Sequence, residues 1–169
     1  MKNIKIFSTL LVLCAMACHP DEFPALGERE QILPKLAGTW SLSSVIQIDN
    51  DAVRKGFPDF AQRQDITHDF PYEEFKLVLG VNEEGAPADF TINAGDSPNI
   101  IGNISSGAWS VDSQDFPSKI IFGNNVASIQ LGTTAHLGKG ELVLKLIRTQ
   151  PKGESVVDVV TYQYSFTKE

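Results

Sequence analysis

Eight short runs of this chain read as strands, the clearest of them alternating apolar with polar side chains at a period of two, and turn-forming residues separate most of them. The runs are residues 40–48, 75–81, 89–93, 107–112, 119–123, 126–131, 141–148 and 156–167. In the last, Val160, Tyr162, Tyr164 and Phe166 share one parity, with Thr161, Gln163 and Ser165 on the other. In the first, Trp40, Leu42, Ile46 and Ile48 are set against Ser41, Ser43 and Gln47. Successive side chains of a strand point to opposite faces, so such runs are strands with one buried face. The separators "NEEGAP", "NAGDSP", "DSQDFP", "GNN", "GTTAHLGKG" and "QPKGE" supply the residues that tight turns demand. Eight strands joined in this way predict an all-β, antiparallel up-and-down meander. Closure would remove its two exposed edges, so an eight-stranded barrel is expected, with a two-sheet β-sandwich as the alternative.

Two of the runs begin alike. Gly38-Thr39-Trp40 opens "GTWSLSSV" and Gly107-Ala108-Trp109 opens "GAWSVDSQ". Thirteen glycines and two tryptophans in 169 residues would give about 0.15 such spacings by chance. Both tryptophans have one. Glycine permits a sharp start to a strand, and the indole fills a barrel end provided that its N–H finds an acceptor. Gly38, Trp40 and Gly107 are therefore expected to be structural, with Trp40 plugging the closed end. Arg148 or Lys35 is expected over the Trp40 indole as a cation–π cap.

"LAGTWSLSSV" resembles the G-x-W opening of lipocalins. Joined to "RKGFP", "DITHDFPYEEFKLVL" and "GAWSVD", it is similar to a family of small lipocalin-like lipoproteins of Gram-negative gut bacteria carrying a domain of unknown function. The resemblance spans about residues 36–168 and implies a lipocalin-like calyx. Of the lipocalin hallmarks only the G-x-W is matched, so lipocalin ligands are not implied.

The start, "MKNIKIFSTLLVLCAMAC", has two lysines, no acid and an apolar run over residues 6–17. That run is shorter than the roughly 20 residues a membrane-spanning helix needs and reads as a signal peptide. Cys18 follows the small residue Ala17, as the acylated cysteine of a bacterial lipoprotein would. Cys14, preceded by Leu13, is the poorer alternative. The expected division is a signal peptide at 1–17, a lipidated cysteine and flexible tether at 18–35, and a barrel domain at 36–169. Multiple acyl chains anchor a protein stably to its membrane. Asp21-Glu22 resembles the acidic signal that sends some Gram-negative lipoproteins to the cell surface. The expected address is the outer membrane, lipid-anchored and surface-exposed.

Composition excludes several functions. With one cysteine in the signal and the other acylated, no thiol remains for a disulfide, a metal or a nucleophile. The formal charge of −7 becomes −9 once Lys2 and Lys5 leave with the signal, which disfavours nucleic acid as a partner. His19, His68 and His136 are scattered, and no H-E-x-x-H or cysteine pair is present, so no metal or cofactor is expected. "GNISSG" has Ile104 where a G-x-S-x-G elbow needs serine. "GTTAHLGKG" has Gly140 where a phosphate loop needs serine or threonine. The expectation is a non-enzymatic protein, the exception being a hydrolase with no recognisable motif, built around His68 or His136.

Residues 49–71 form the one long connection, and loops of that length in compact domains are usually functional. Phe57, Phe60 and Phe70 need somewhere to be buried, so this connection is expected to act as a lid over the open end. Eight strands enclose either a packed interior or one small ligand. The expected ligand lining is Phe75, Leu77, Leu79, Phe90, Trp109, Leu144, Tyr162 and Tyr164. Two functions compete: a carrier of a small apolar or amphipathic, lipid-like ligand, or a filled barrel acting as accessory to an outer-membrane protein assembly of the glycan-uptake type.

Overall fold

A computed structural model describes residues 31–169. The signal segment, Cys18, His19 and the tether up to residue 30 lie outside the described residues. Each of the eight runs is a strand, and a short ninth is added. In chain order they are β1 (Gly38–Asp49), β2 (Arg63–Asp65), β3 (Lys76–Val81), β4 (Pro87–Asn93), β5 (Ser106–Val111), β6 (Lys119–Phe122), β7 (Ala127–Leu131), β8 (Glu141–Lys152) and β9 (Ser155–Lys168). Neighbours pair antiparallel from β3 to β9, and β1 joins β3 on one side and β9 on the other. The result is a closed eight-stranded up-and-down barrel, not a sandwich. β2 pairs only with the second half of β1. Its sequence, Arg-Gln-Asp, is exposed throughout and carries no apolar alternation by which it could be read in advance.

One strand departs from its sequence parity. Leu42 opposes Phe166, but Ser44 opposes Ser165, so Ser43 is the extra residue of a β-bulge. Its hydroxyl donates to the Ser165 carbonyl at 2.8 Å. An extra residue reverses the facing of everything after it. Val45, at 0% exposure, thus points inward in place of Ile46 and Ile48, which were expected on the core face and are only half-buried.

The barrel interior is filled. Phe75, Leu77, Leu79, Phe90, Phe122, Leu144 and Phe166 are all buried. Phe90 meets Phe122 edge-on with centroids 4.7 Å apart, and Phe75 lies 6.0 Å from Phe166. The base is closed by helix α1 (Leu33–Leu36), which has proline in its first turn and buries Leu36. Trp40 is fully buried above it and donates its indole N–H to the Leu36 carbonyl at 2.8 Å. The cation over this indole is Lys168, 5.2 Å from the ring centre, and not Arg148 or Lys35. The strand order explains the correction: Lys168 opposes Trp40 across β1 and β9, whereas Arg148 lies towards the other end of β8. Gly38 is needed here because its φ of +132° suits glycine; a Cβ would in addition displace the flexible end of Lys168, whose Cε lies 2.6 Å away. Trp109 is satisfied likewise, donating to the Gly80 carbonyl at 2.6 Å. Ile32 and Leu33, ahead of residue 36, also pack on the core.

The β5–β6 connection at this base is fastened by Asp112, which accepts the Ser118 hydroxyl and the N–H groups of Ser118 (2.8 Å) and Lys119 (3.0 Å). Led by the Ser118 hydroxyl, these donors lower the Asp112 carboxyl from 3.8 to about 2. A depressed acid stabilises the fold above its unfolded pKa, and that contribution fades as pH falls. Asp112→Asn is expected to melt below wild type above about pH 4, with the gap closing by about pH 2. Melting temperatures of both proteins from pH 2 to 6 check this; a gap independent of pH would mean the carboxylate is not ionised in the clip.

Candidate functional site at the barrel mouth

The up-and-down order puts the β1–β3, β4–β5 and β8–β9 connections at the end opposite Trp40. A pocket of about 360 Å³ opens there, within the range of small-molecule sites. Gln47, Leu146, Arg148, Tyr162 and Tyr164 form its inner wall, on β1, β8 and β9. Its outer wall is Gln64 of β2, the segment Ile66, Asp69, Phe70 and Tyr72, and Pro98, Asn99 and Ile100 from the β4–β5 connection.

The strand registers account for the inner wall. Tyr162 is flanked by Gln47 on β1 and Leu146 on β8, while Tyr164 is flanked by Val45 and Leu144 one layer deeper. Gln47 faces Gln64 directly across β1 and β2, so two amides stand side by side at the rim. Arg148 continues the inward parity of Leu142, Leu144 and Leu146. The β8–β9 register then slips, Arg148 opposing Val160 and Thr149 opposing Asp158, so the regular wall ends at the guanidinium. A bulge of this kind re-aims a side chain at the rim of a barrel.

The outer wall is held by local bonding. The Thr67 hydroxyl donates to Asp65 at 2.6 Å and accepts the Val45 N–H at 2.9 Å, tying the segment after β2 to β1. Asn99 spends its amide on its own loop, donating to the Ile104 carbonyl and accepting from the Ile101 N–H. Phe70 meets Tyr72 edge-on at 5.6 Å.

Burial raises the hydroxyls of Tyr72 and Tyr164 above the ordinary phenol range, and neighbouring groups add to this. Tyr162 acts on both, Asp69 on Tyr72 and Tyr72 on Tyr164, while Arg148 partly offsets the rise at Tyr164. The three phenols are thus neighbours, and those of Tyr72 and Tyr164 stay protonated at neutral pH. Among the described residues, Arg148, Gln47, Gln64 and the three phenol hydroxyls have no protein hydrogen-bond or ion-pair partner, and no buried polar side-chain atom is left unsatisfied. The mouth therefore exposes uncommitted donors and acceptors beside the apolar side chains of Ile66, Ile100 and Leu146.

Of the eight expected lining residues only Tyr162 and Tyr164 face the pocket; Phe75, Leu77, Leu79, Phe90, Trp109 and Leu144 are packed core. Of the three lid phenylalanines only Phe70 lines it. Burial was expected for all three, yet Phe57 is 49%, Phe60 86% and Phe70 43% exposed. The connection is ordered by polar contacts instead. Helix α2 (Asn50–Arg54) is capped by the Asp49 carboxylate, which accepts from the Asp51 and Ala52 N–H groups, and Arg54 reaches the Asp158 carbonyl at 2.8 Å. Helix α3 (Asp59–Gln62) follows Pro58, and the Gln62 amide donates to the Phe57 carbonyl.

His68 and His136 stand on connections at opposite ends, with His136 3.0 Å from Glu141. Among the described residues no group of three or more His, Cys, Asp or Glu is placed to hold a metal, and no helix is long and apolar enough to cross a membrane. A family profile described as "Domain of unknown function (DUF5004)" matches residues 15–167. No curated protein and no solved structure matches the chain.

Proposed function

The chain belongs to the DUF5004 family of unknown function, and from its barrel mouth we propose a membrane-anchored lipoprotein that holds a small amphipathic ligand. The pocket of about 360 Å³, walled by phenols and amides above a filled barrel, is the observation that carries this reading. A solid interior leaves no chamber for a long apolar chain, so the amphipathic class of ligand is favoured over the apolar one. The signal-like residues 1–17, Cys18 and Asp21-Glu22 support an outer-membrane, surface-exposed, lipid-anchored address of the kind the lipocalin-like lipoproteins have. No catalytic role is assigned to His68 or His136.

Native mass spectrometry of the full chain, released from detergent after incubation with a lipid extract and a glycan mixture, tests the proposal. A defined adduct is expected, and Tyr162→Glu should abolish it while leaving the circular dichroism spectrum unchanged. A bare mass in every case would sink the reading. A second function, accessory to an outer-membrane protein assembly, is favoured by one feature: Phe57, Phe60 and Phe70 lie exposed on a single connection over a filled barrel. A bare mass together with protection of Phe60 from radical footprinting on intact membranes would favour that accessory role.

A further inference from the structure

We propose that the mouth pocket selects a small hydroxylated carboxylate, a sugar acid in chemical class, whose carboxylate docks on Arg148 and whose hydroxyls are read by the Gln47–Gln64 amides and Asp69. This rests on the reading of the mouth as a site for a small amphipathic ligand, the sugar acid being amphipathic through its C–H face against its hydroxyls and carboxylate. The first ground is the guanidinium itself. Arg148 occupies an inward-parity position at the point where the β8–β9 register slips, and it makes no ion pair among the described residues. Asp69, the one acid lining the pocket, is not bonded to it. A guanidinium presents two parallel N–H groups that match the two oxygens of a carboxylate.

The second ground is the polarity across the pocket. The cation is on β8 and the anion on the segment after β2, so a ligand with one acidic group has one orientation that satisfies both. Its carboxylate points to Arg148, and a hydroxyl donates to Asp69. A phosphate carries more charge and usually gathers several cations or backbone N–H groups, whereas here one guanidinium is opposed by a carboxylate. The third ground is the pair of amides. Gln47 and Gln64 are directly opposed and uncommitted, and each can donate to one hydroxyl and accept from another. The rings of Phe70 and Tyr72 and the side chain of Ile66 supply apolar surface for the C–H face of a sugar ring. A fatty acid would leave the amides and the phenols unused and would find no chamber for its chain.

Isothermal titration of the full chain in detergent with D-glucuronate, D-glucose and octanoate tests this. Saturable binding of glucuronate is expected, with glucose and octanoate at least tenfold weaker. Arg148→Met keeps the aliphatic stem and should weaken glucuronate at least tenfold with the melting temperature unchanged. If that variant fails to fold, Arg148→Lys should fold and bind at intermediate strength, because it keeps the charge but loses the fork. Gln64→Leu, on an exposed strand, should also weaken glucuronate. Glucose binding as tightly as glucuronate, octanoate binding as tightly as glucuronate, or an Arg148→Met variant of unchanged affinity each overturns the proposal. No heat with glucuronate overturns it as well. In that case a Tyr162-dependent adduct from the lipid extract would still uphold the mouth as a ligand site, whereas loss of both signals removes both readings.

Discussion

Trp40→Ala is expected to lower the unfolding free energy by about 3–5 kcal/mol, the range for emptying a large aromatic site in a packed core. The indole is wholly buried where three separate parts of the chain meet. Below it is Leu36 of α1, which accepts its N–H; beside it on β3 is Leu77; above one face is the Lys168 ammonium at 5.2 Å. Alanine would open a cavity at the base of the barrel and leave the Leu36 carbonyl without its donor, which adds to the loss. Small domains have only about 5–15 kcal/mol in total, so this one change removes a large share. Urea unfolding followed by fluorescence checks it, and in the variant Trp109 is the sole indole reporter. Trp40→Phe restores most of the volume but not the N–H, and should fall between the two. A loss below about 1 kcal/mol for Trp40→Ala would show that α1 and β9 hold the base without the indole.

The eight strands were legible because their alternation is driven by burial on one face, and turn residues mark where each run stops. The closed barrel follows from the number and order of those runs. What alternation cannot register is an insertion. Ser43 has no special chemistry for a bulge, and without it Ile46 and Ile48 are the better apolar candidates for the inner face. The same limit hides β2, which is all polar and is recruited to the edge of β1 by pairing alone.

The mouth was legible in part. Tyr162 and Tyr164 follow from parity, and so does Arg148, since a cation continuing the series Leu142, Leu144, Leu146 is a readable signal of a polar rim. Read instead as a cap for Trp40, Arg148 was placed at the wrong end, because sequence parity gives the face of a strand but not the height along the barrel. Gln47, Gln64, Asp69 and Tyr72 come together only through the bulge and the added strand. The phenylalanines of the long connection misled for a different reason. Aromatic residues usually need burial, but Asp49, Arg54 and Gln62 fix this segment through backbone contacts and leave Phe57 and Phe60 exposed.

Placing a charge at Val45 is expected to be far more damaging than placing one at Ile46, although the two are adjacent. Val45→Asp would put a carboxylate at a fully buried site beside Tyr164, with no cation opposite it. Burying an unpaired charge costs several kcal/mol even after the group takes up a proton, so a loss above about 4 kcal/mol is expected. That would remove a large share of the roughly 5–15 kcal/mol that holds a small domain together. Ile46→Lys puts its charge on the outer face, opposite Asp65 on β2, and should cost about 1 kcal/mol or less. Chemical denaturation of the two variants gives the comparison directly. The reverse ranking would place Ile46 inside and remove the bulge at Ser43. Gln47 would then turn outward, taking its amide away from Tyr162 and Gln64. The inner wall of the mouth pocket would go with it, so this pair of substitutions also tests the ground on which the ligand site stands.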